Sequence, residues 1–137
     1  MSPLQSAAMF RWTLLLMIFA VAPSLFAGSE DAAGKPSQFL YVLRLVPRLH
    51  DDQAWTKDDA AAVQNHFNRL KGATENGQVI FAGRTKESGD KTFGLVIFEA
   101  ADETAALQFM RADPAVTAGI MTAELHPFSV ILQRKNS

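Results

Sequence analysis

Strand and helix patterns alternate along residues 38–132, and their order is the strongest constraint on the fold of this chain. Runs of β-branched and aromatic residues predict strands, whereas apolar residues at steps of three and four predict helices. The predicted strands lie at 38–46, 79–84 and 92–99, and residues 121–132 supply a last strand or two, bent at Pro127. The predicted helices run from Thr56 to about residue 76, from Asp102 to before Pro114, and over 114–118. The order β-α-β-β-α-β predicts a ferredoxin-like α+β fold, with both longer helices on one face of an antiparallel sheet.

The first helix has clear signals at both ends. The hydroxyl of Thr56 can cap the free amides of the first turn, and Asp58 and Asp59 lie at the positive end of the helix dipole. Gly77 follows as the stop signal. The stripe predicted to face the sheet has steps of three, four and three residues: Ala60, Val63, Phe67 and Leu70.

Both faces of the predicted sheet are apolar. In the first strand, Phe39, Tyr41 and Leu43 alternate with Leu40 and Val42. An antiparallel sheet covered on one side only should alternate apolar with polar residues, and two helices cover one side. We therefore predict a homodimer of the dimeric α/β barrel type, in which the sheets of two copies pack face to face.

Composition excludes several classes of protein and site. A length of 137 residues fits one domain. The 13 Lys and Arg residues against 14 Asp and Glu residues give a net charge of −1, so we expect no nucleic-acid partner. The absence of cysteine excludes disulfides, Cys-ligated zinc, iron–sulfur clusters and thiol nucleophiles. We expect no cofactor and no metal, and any chemistry must use His, carboxylates, Tyr, Arg or the backbone.

The amino-terminal segment has the layout of a secretory signal. Its only charged side chain is Arg11, and the apolar run at 12–22 is shorter than the roughly 20 residues that a membrane span needs. Pro23 and the small residue Ala27 follow, and we predict cleavage after Ala27. An uncleaved anchor is the alternative, and either arrangement puts the folded part in the periplasm or outside the cell. The predicted organisation is a signal at 1–27, a linker at 28–37, a domain at 38–132 and a tail at 133–137, with no stable membrane span once the signal is removed.

His66 is the first candidate for chemistry. It lies on the flank of the predicted apolar stripe of the first helix, with Ala62 and Leu70 one turn away. Small neighbours leave room for a ligand beside the imidazole. The alternative is a histidine at the core boundary whose ring nitrogen is hydrogen-bonded to the protein.

Asp113 is the second candidate, because it occupies a core-facing position. The apolar face of the second helix runs through Ala106, Phe109 and Met110 to Asp113. A buried carboxylate there needs a partner, and the negative end of the helix dipole disfavours its charge. It can also cap the short helix that begins at Pro114, and the two roles are compatible.

Arg44 and Arg84 are candidate substrate-binding residues, since a guanidinium on a strand can receive an anionic substrate through two hydrogen bonds. Arg84 can equally be a strand-end charge in water. The other polar or aromatic candidates are predicted to have structural or solvated positions and to form no metal site: His50 with Asp51 and Asp52, His126, Trp55 and Tyr41.

Several of these segments together resemble the YCII-related domain family. The matching stretches are FLYVLRL at 39–45, HFNRL at 66–70, ENGQVIFAG at 75–83, GLVIFEA at 94–100 and DPAVTAGIMTAELHPF at 113–128. The resemblance implies a ferredoxin-fold chain that dimerises through its sheet, and a His–Asp pair in a cleft, corresponding to His66 and Asp113. The family includes a dehydrochlorinase of aromatic degradation. One departure is Arg84, which stands where many relatives have proline.

Three functions are compatible with these features. The first is an exported enzyme that uses His66 and Asp113 for acid–base chemistry on a small organic substrate. The second is a non-catalytic module that binds or senses a small ligand in the same cleft. The third is a cofactor-free monooxygenase of the dimeric α/β barrel type, which would hold an electron-rich ring near His66.

The homodimer is testable directly. Sedimentation velocity at micromolar concentration is expected to show twice the mass of one chain, because the second apolar sheet face needs a cover. A monomer under these conditions would contradict the prediction.

Overall fold

The computed structural model describes residues 35–134, in which four strands form a single antiparallel sheet. The elements are β1 (Ser37–Leu45), α1 (Lys57–Glu75), β2 (Val79–Arg84), β3 (Gly94–Ala100), α2 (Glu103–Arg111), α3 (Pro114–Thr117) and β4 (Met121–Pro127). The strand order is β2-β3-β1-β4, with every neighbouring pair antiparallel. The predicted ferredoxin-like α+β fold is therefore confirmed. The predicted signal peptide lies outside the described residues.

Strand β1 lies inside the sheet and, like β3, contributes three residues to the main core. Phe39, Tyr41 and Leu43 are buried on the face covered by the helices, as strand alternation predicts. Tyr41 lies between Val96 of β3 and Leu125 of β4. The main core also contains Leu70, Ala73, Val79, Phe98, Ala100, Ala106 and Met110.

The predicted ends of α1 are confirmed by its caps. The Thr56 hydroxyl accepts from the Asp59 amide, and the Asp59 carboxylate accepts from the Thr56 amide, which satisfies two free donors of the first turn. Gly77 adopts a left-handed φ of 86° directly after the helix. Arg48 adds two hydrogen bonds to Asp59, at 2.8 and 3.0 Å.

The predicted apolar stripe of α1 is wrong at two positions. Ala60 is exposed and Phe67 is 59% exposed. The buried face is rotated by about one residue, and its members are Asp59, Ala62, Leu70 and Ala73. The small alanines let the helix approach the rest of the fold closely, and the polar residues on this face can be buried because each has a partner.

Two strand boundaries differ from the sequence pattern by two residues or more. The last strand ends at Pro127, whereas the pattern extends it to residue 132, because proline has no amide hydrogen to continue the ladder. The amides of Phe128 and Val130 instead donate to the backbone and side-chain oxygens of Gln38. Strand β3 begins at Gly94, since Thr92 closes a 3₁₀ turn at 89–91.

The face of the sheet opposite the helices is apolar in the middle of β1 and β3, as the alternation predicts, whereas β4 contributes Glu124 and His126 to it. Leu40, Val42 and Ile97 share this face and are partly exposed. Within residues 35–134, no helix is long and apolar enough to cross a bilayer.

Asp59 is expected to make stability depend on pH. The hydrogen bond from Arg48, and after it those from Thr56, hold the pKa of this carboxyl well below its usual range. Its contribution is therefore fully present above about pH 4, the ordinary Asp value, and is lost as the pH falls towards the folded-state pKa. Asp59→Asn should lower the thermal midpoint at neutral pH, and the midpoints of wild type and variant should converge below pH 4 in circular dichroism.

The matched control is Asp58→Asn, which removes the same charge from the same helix end without removing an Arg48 partner. An equal loss of stability in both variants would show that the helix dipole, and not the Arg48 contact, is responsible.

Candidate active site

The structure brings His66 of α1 and Asp113 into direct contact. The Nδ1 atom of His66 lies 2.7 and 2.8 Å from the two carboxylate oxygens of Asp113. The two residues are 47 positions apart in the chain. Asp113 is completely buried, whereas the His66 side chain is 15% exposed. The pair therefore has an inaccessible acid and an imidazole that reaches the surface of a cavity.

Asp113 also caps α3, as the sequence predicts. Its Oδ1 accepts from the Ala115 amide at 2.9 Å, and Pro114 is the first residue of the helix. Burial by itself raises the pKa of Asp113. The hydrogen bond and proximity of the His66 imidazole, the Ala115 amide and the Tyr41 hydroxyl outweigh that effect and hold the pKa below its usual value. The carboxyl is therefore ionised at neutral pH.

Tyr41 is part of this site, although its position in the sequence indicates packing alone. Tyr41 belongs to the inner strand β1, and its hydroxyl donates a hydrogen bond of 2.9 Å to Asp113 Oδ2. Burial, followed by the negative charge of Asp113, raises the pKa of Tyr41, so the phenol keeps its proton and donates. The available signal is the hydroxyl itself, because a tyrosine on a core-facing strand position must find an acceptor.

Arg69 is a second residue of this site that the sequence pattern does not single out. Its Nη2 donates to the Phe109 carbonyl at 2.8 Å, and its guanidinium lies 4.1 Å from the centre of the Phe109 ring. Nη1 is buried and lies 4.0 Å from Asp113 Oδ2. Its place three residues after His66 puts it on the same helix face. The guanidinium adds positive charge beside the buried carboxylate.

The contact with Asp113 determines the tautomer of a neutral His66. An ionised carboxylate only accepts hydrogen bonds, so Nδ1 must carry the proton. The other nitrogen, Nε2, then has a free lone pair and has no hydrogen-bond partner among residues 35–134. An imidazole held in this way is oriented to accept a proton at Nε2.

His66 lines a cavity of about 1000 Å³ between α1 and the sheet. This groove is mostly apolar, and it contains Phe67, the exposed aromatic residue of α1. The lining residues are Leu43, Leu45, Trp55, Val63, His66, Phe67, Leu70, Lys71, Thr74, Glu75, residues 80–84, Thr92, residues 94–96 and Met121. Its size suits a small organic molecule, because ligand pockets are typically about 300–1,000 Å³.

The two arginine candidates lie in different places. Arg84 lines the groove together with His66. Arg44 lies on the other face of the sheet, 5.4 Å from the centre of the Phe93 ring, and is not among the groove residues.

The remaining histidines lie outside the groove. His50 contacts the Leu45 carbonyl at 3.2 Å, and His126 lies 3.8 Å from Glu124 on β4. Within the described part of the chain, no group of three or more His, Cys, Asp and Glu residues is arranged to hold a metal ion.

Removing the Tyr41 hydroxyl tests how strongly the buried carboxylate depends on its donors. Tyr41→Phe keeps the ring and leaves Asp113 Oδ2 with one donor fewer, which is expected to lower the free energy of unfolding by about 1–3 kcal/mol. Urea-induced unfolding of wild type and variant measures this difference in the free energy of unfolding. The control Thr122→Val removes an exposed hydroxyl and should change stability by less than about 0.5 kcal/mol. A Tyr41→Phe variant as stable as wild type would contradict this role.

Comparisons with known proteins gave a family match and a similar solved structure. A solved structure similar to it is the 5-chloro-2-hydroxyhydroquinone dehydrochlorinase of Burkholderia phenoliruptrix in complex with 2,5-dihydroxybenzoquinone, with 18% identity and a TM-score of 0.47 over 67% of this chain and 93% of that one. No curated protein matches the chain. The family model of the YCII-related domain matches residues 42–129, which is more than half of the sequence. The chain therefore belongs to the YCII-related domain family.

Proposed function

We propose that the chain is an enzyme that moves a proton on a small organic substrate, with Nε2 of His66 as the base. The observation that carries the proposal is the hydrogen bond from Nδ1 to the buried carboxylate of Asp113, at 2.7 Å. It orients the free nitrogen at the wall of an apolar groove. A positioned imidazole of this kind is the most common general base in enzymes.

The proposed step is a proton transfer. A substrate C–H or O–H bond breaks, its proton binds Nε2, and the electron pair stays on the substrate. The imidazolium that forms is then stabilised by the negative charge of Asp113, which the Tyr41 hydroxyl and the Ala115 amide hold in place. The proton returns to the substrate at another atom or passes to water.

The groove supports a substrate that is small and largely apolar. Val63, Phe67 and Leu70 form part of its α1 side, and Leu43 and Val96 part of its sheet side. Apolar walls remove water from around the imidazole, which strengthens its interaction with a charged transition state.

Exchange of substrate hydrogen with solvent tests the base directly. The protein is incubated in D₂O with a panel of cyclic ketones, lactones, phenols and cyclic keto acids, and deuterium incorporation at carbon is followed by NMR. We expect exchange in at least one member, and a loss of about 10²- to 10⁴-fold in His66→Gln, the range for removal of a general base. Asp113→Asn should also lose exchange, because the imidazolium loses its counter-charge.

The matched control is His126→Gln, which removes an imidazole from an edge strand outside the groove and should keep wild-type exchange. Circular dichroism of each variant separates a loss of chemistry from a loss of fold. Equal exchange in wild type and His66→Gln would contradict the proposal. Binding of a panel member without exchange in wild type would favour the alternative, a non-catalytic binding module.

Two further properties belong to the proposal. Export is supported by the sequence of residues 1–27 alone, and N-terminal sequencing of protein from the cell envelope tests it.

A homodimer through the open sheet face is supported by the apolar residues Leu40, Val42 and Ile97 on that face.

A further inference from the structure

Among residues 35–134, the charged residues around the groove leave one positive charge without a carboxylate partner. Lys71 and Glu75 both line the groove, and their charged atoms lie 3.9 Å apart on α1, so their charges offset each other. Arg84 also lines it, and no carboxylate of residues 35–134 lies within ion-pair distance of its guanidinium. The guanidinium is always charged, and its planar group matches a carboxylate.

The sheet register places Arg84 on the groove side. Arg84 pairs with Gly94, and Gly94 pairs with Leu43, so the three residues form a row across β2, β3 and β1. Leu43 is buried on the helix-covered face, and the row shares that face. Gly94 contributes no side chain to the row, and the Leu43 side chain packs beside it.

The opposite side of the groove favours an apolar body. Phe67 is 59% exposed although it belongs to a helix that packs on the sheet. Covering an exposed aromatic side chain in a concave site with an apolar ligand lowers the free energy, because apolar surface is removed from water. The positive charge of Arg84 and the apolar surface of Phe67 together favour a ligand with an anionic group at one end and an apolar body at the other.

We propose that the groove selects small apolar carboxylic acids, whose body packs against Phe67 and whose carboxylate pairs with Arg84. This inference rests on the proposed function, since it takes the groove as the substrate site, and it makes Arg84 a specificity-determining residue. His66 and the anion-binding end belong to the same cavity, so a bound acid has its body within the groove that the imidazole lines.

Calorimetric titration of the full chain with two matched pairs of probes tests the charge preference. The pairs are 2-naphthoate with 2-naphthamide, and benzoate with benzamide, which differ mainly in the negative charge. At neutral pH and low salt, we expect the acid of at least one pair to bind about tenfold more tightly than its amide, a difference of about 1.4 kcal/mol. Added salt should reduce this preference, because Arg84 is exposed.

Variants assign the preference to one residue. Arg84→Gln should bind acid and amide equally, and Arg84→Lys should recover part of the difference. The control Arg111→Gln removes the same charge from an exposed position on α2 outside the groove, and it should keep the full preference. His66→Gln should also keep it, although it loses proton exchange.

The inference is overturned if neither acid binds, if acids and amides bind equally to wild type, or if Arg84→Gln keeps the wild-type preference. These outcomes are separate from those of the exchange experiment. Loss of exchange in His66→Gln without a charge preference would leave the acid–base function and remove the substrate class. A preference that depends on Arg84 without exchange in any protein would remove the catalysis and leave a binding site for acids.

Discussion

The fully buried carboxylate of Asp113 is the interaction on which the site depends. It accepts hydrogen bonds from β1 through Tyr41, from α1 through His66 and from α3 through the Ala115 amide. An ionised group without these donors would be costly to bury, so each donor stabilises the position of the other elements. The carboxylate thus joins three segments that are distant in sequence, and it does so next to the groove.

The same contacts that satisfy the carboxylate prepare the imidazole. Because Asp113 can only accept, Nδ1 of a neutral His66 carries the proton and Nε2 is left with a lone pair. Although complete burial raises the pKa of Asp113, the contacts with His66, followed by the hydrogen bonds from the Ala115 amide and the neutral Tyr41 hydroxyl, hold it below its usual value, so the acid stays ionised. Stability and the proposed chemistry therefore share one hydrogen-bond network, and variants of Asp113 must be judged by both folding and exchange.

The local parts of this arrangement were predictable, because their signals lie within a few residues. Thr56 and Asp59 form the predicted start of α1, Gly77 follows its end, and Asp113 with Pro114 begins α3. The face of α1 was harder to predict. Phe67 fits an apolar stripe, but His66 and Arg69 are partly buried because each has a partner elsewhere in the chain, and Phe67 lies at the groove. A hydropathy pattern carries no information about hydrogen-bond partners that are distant in the sequence.

The order of strands and helices and the apolar strand faces are properties of the sequence itself, and they determine a ferredoxin-like α+β sheet, because periodicity and caps act over short distances. Membership of the YCII-related family follows from the same residues. Only the tertiary structure decides that the Tyr41 hydroxyl reaches Asp113, that Arg69 packs on Phe109, and that Arg84, unlike Arg44, lines the groove with His66. The reason is physical: these contacts depend on strand register and helix rotation, which follow from packing all the elements together.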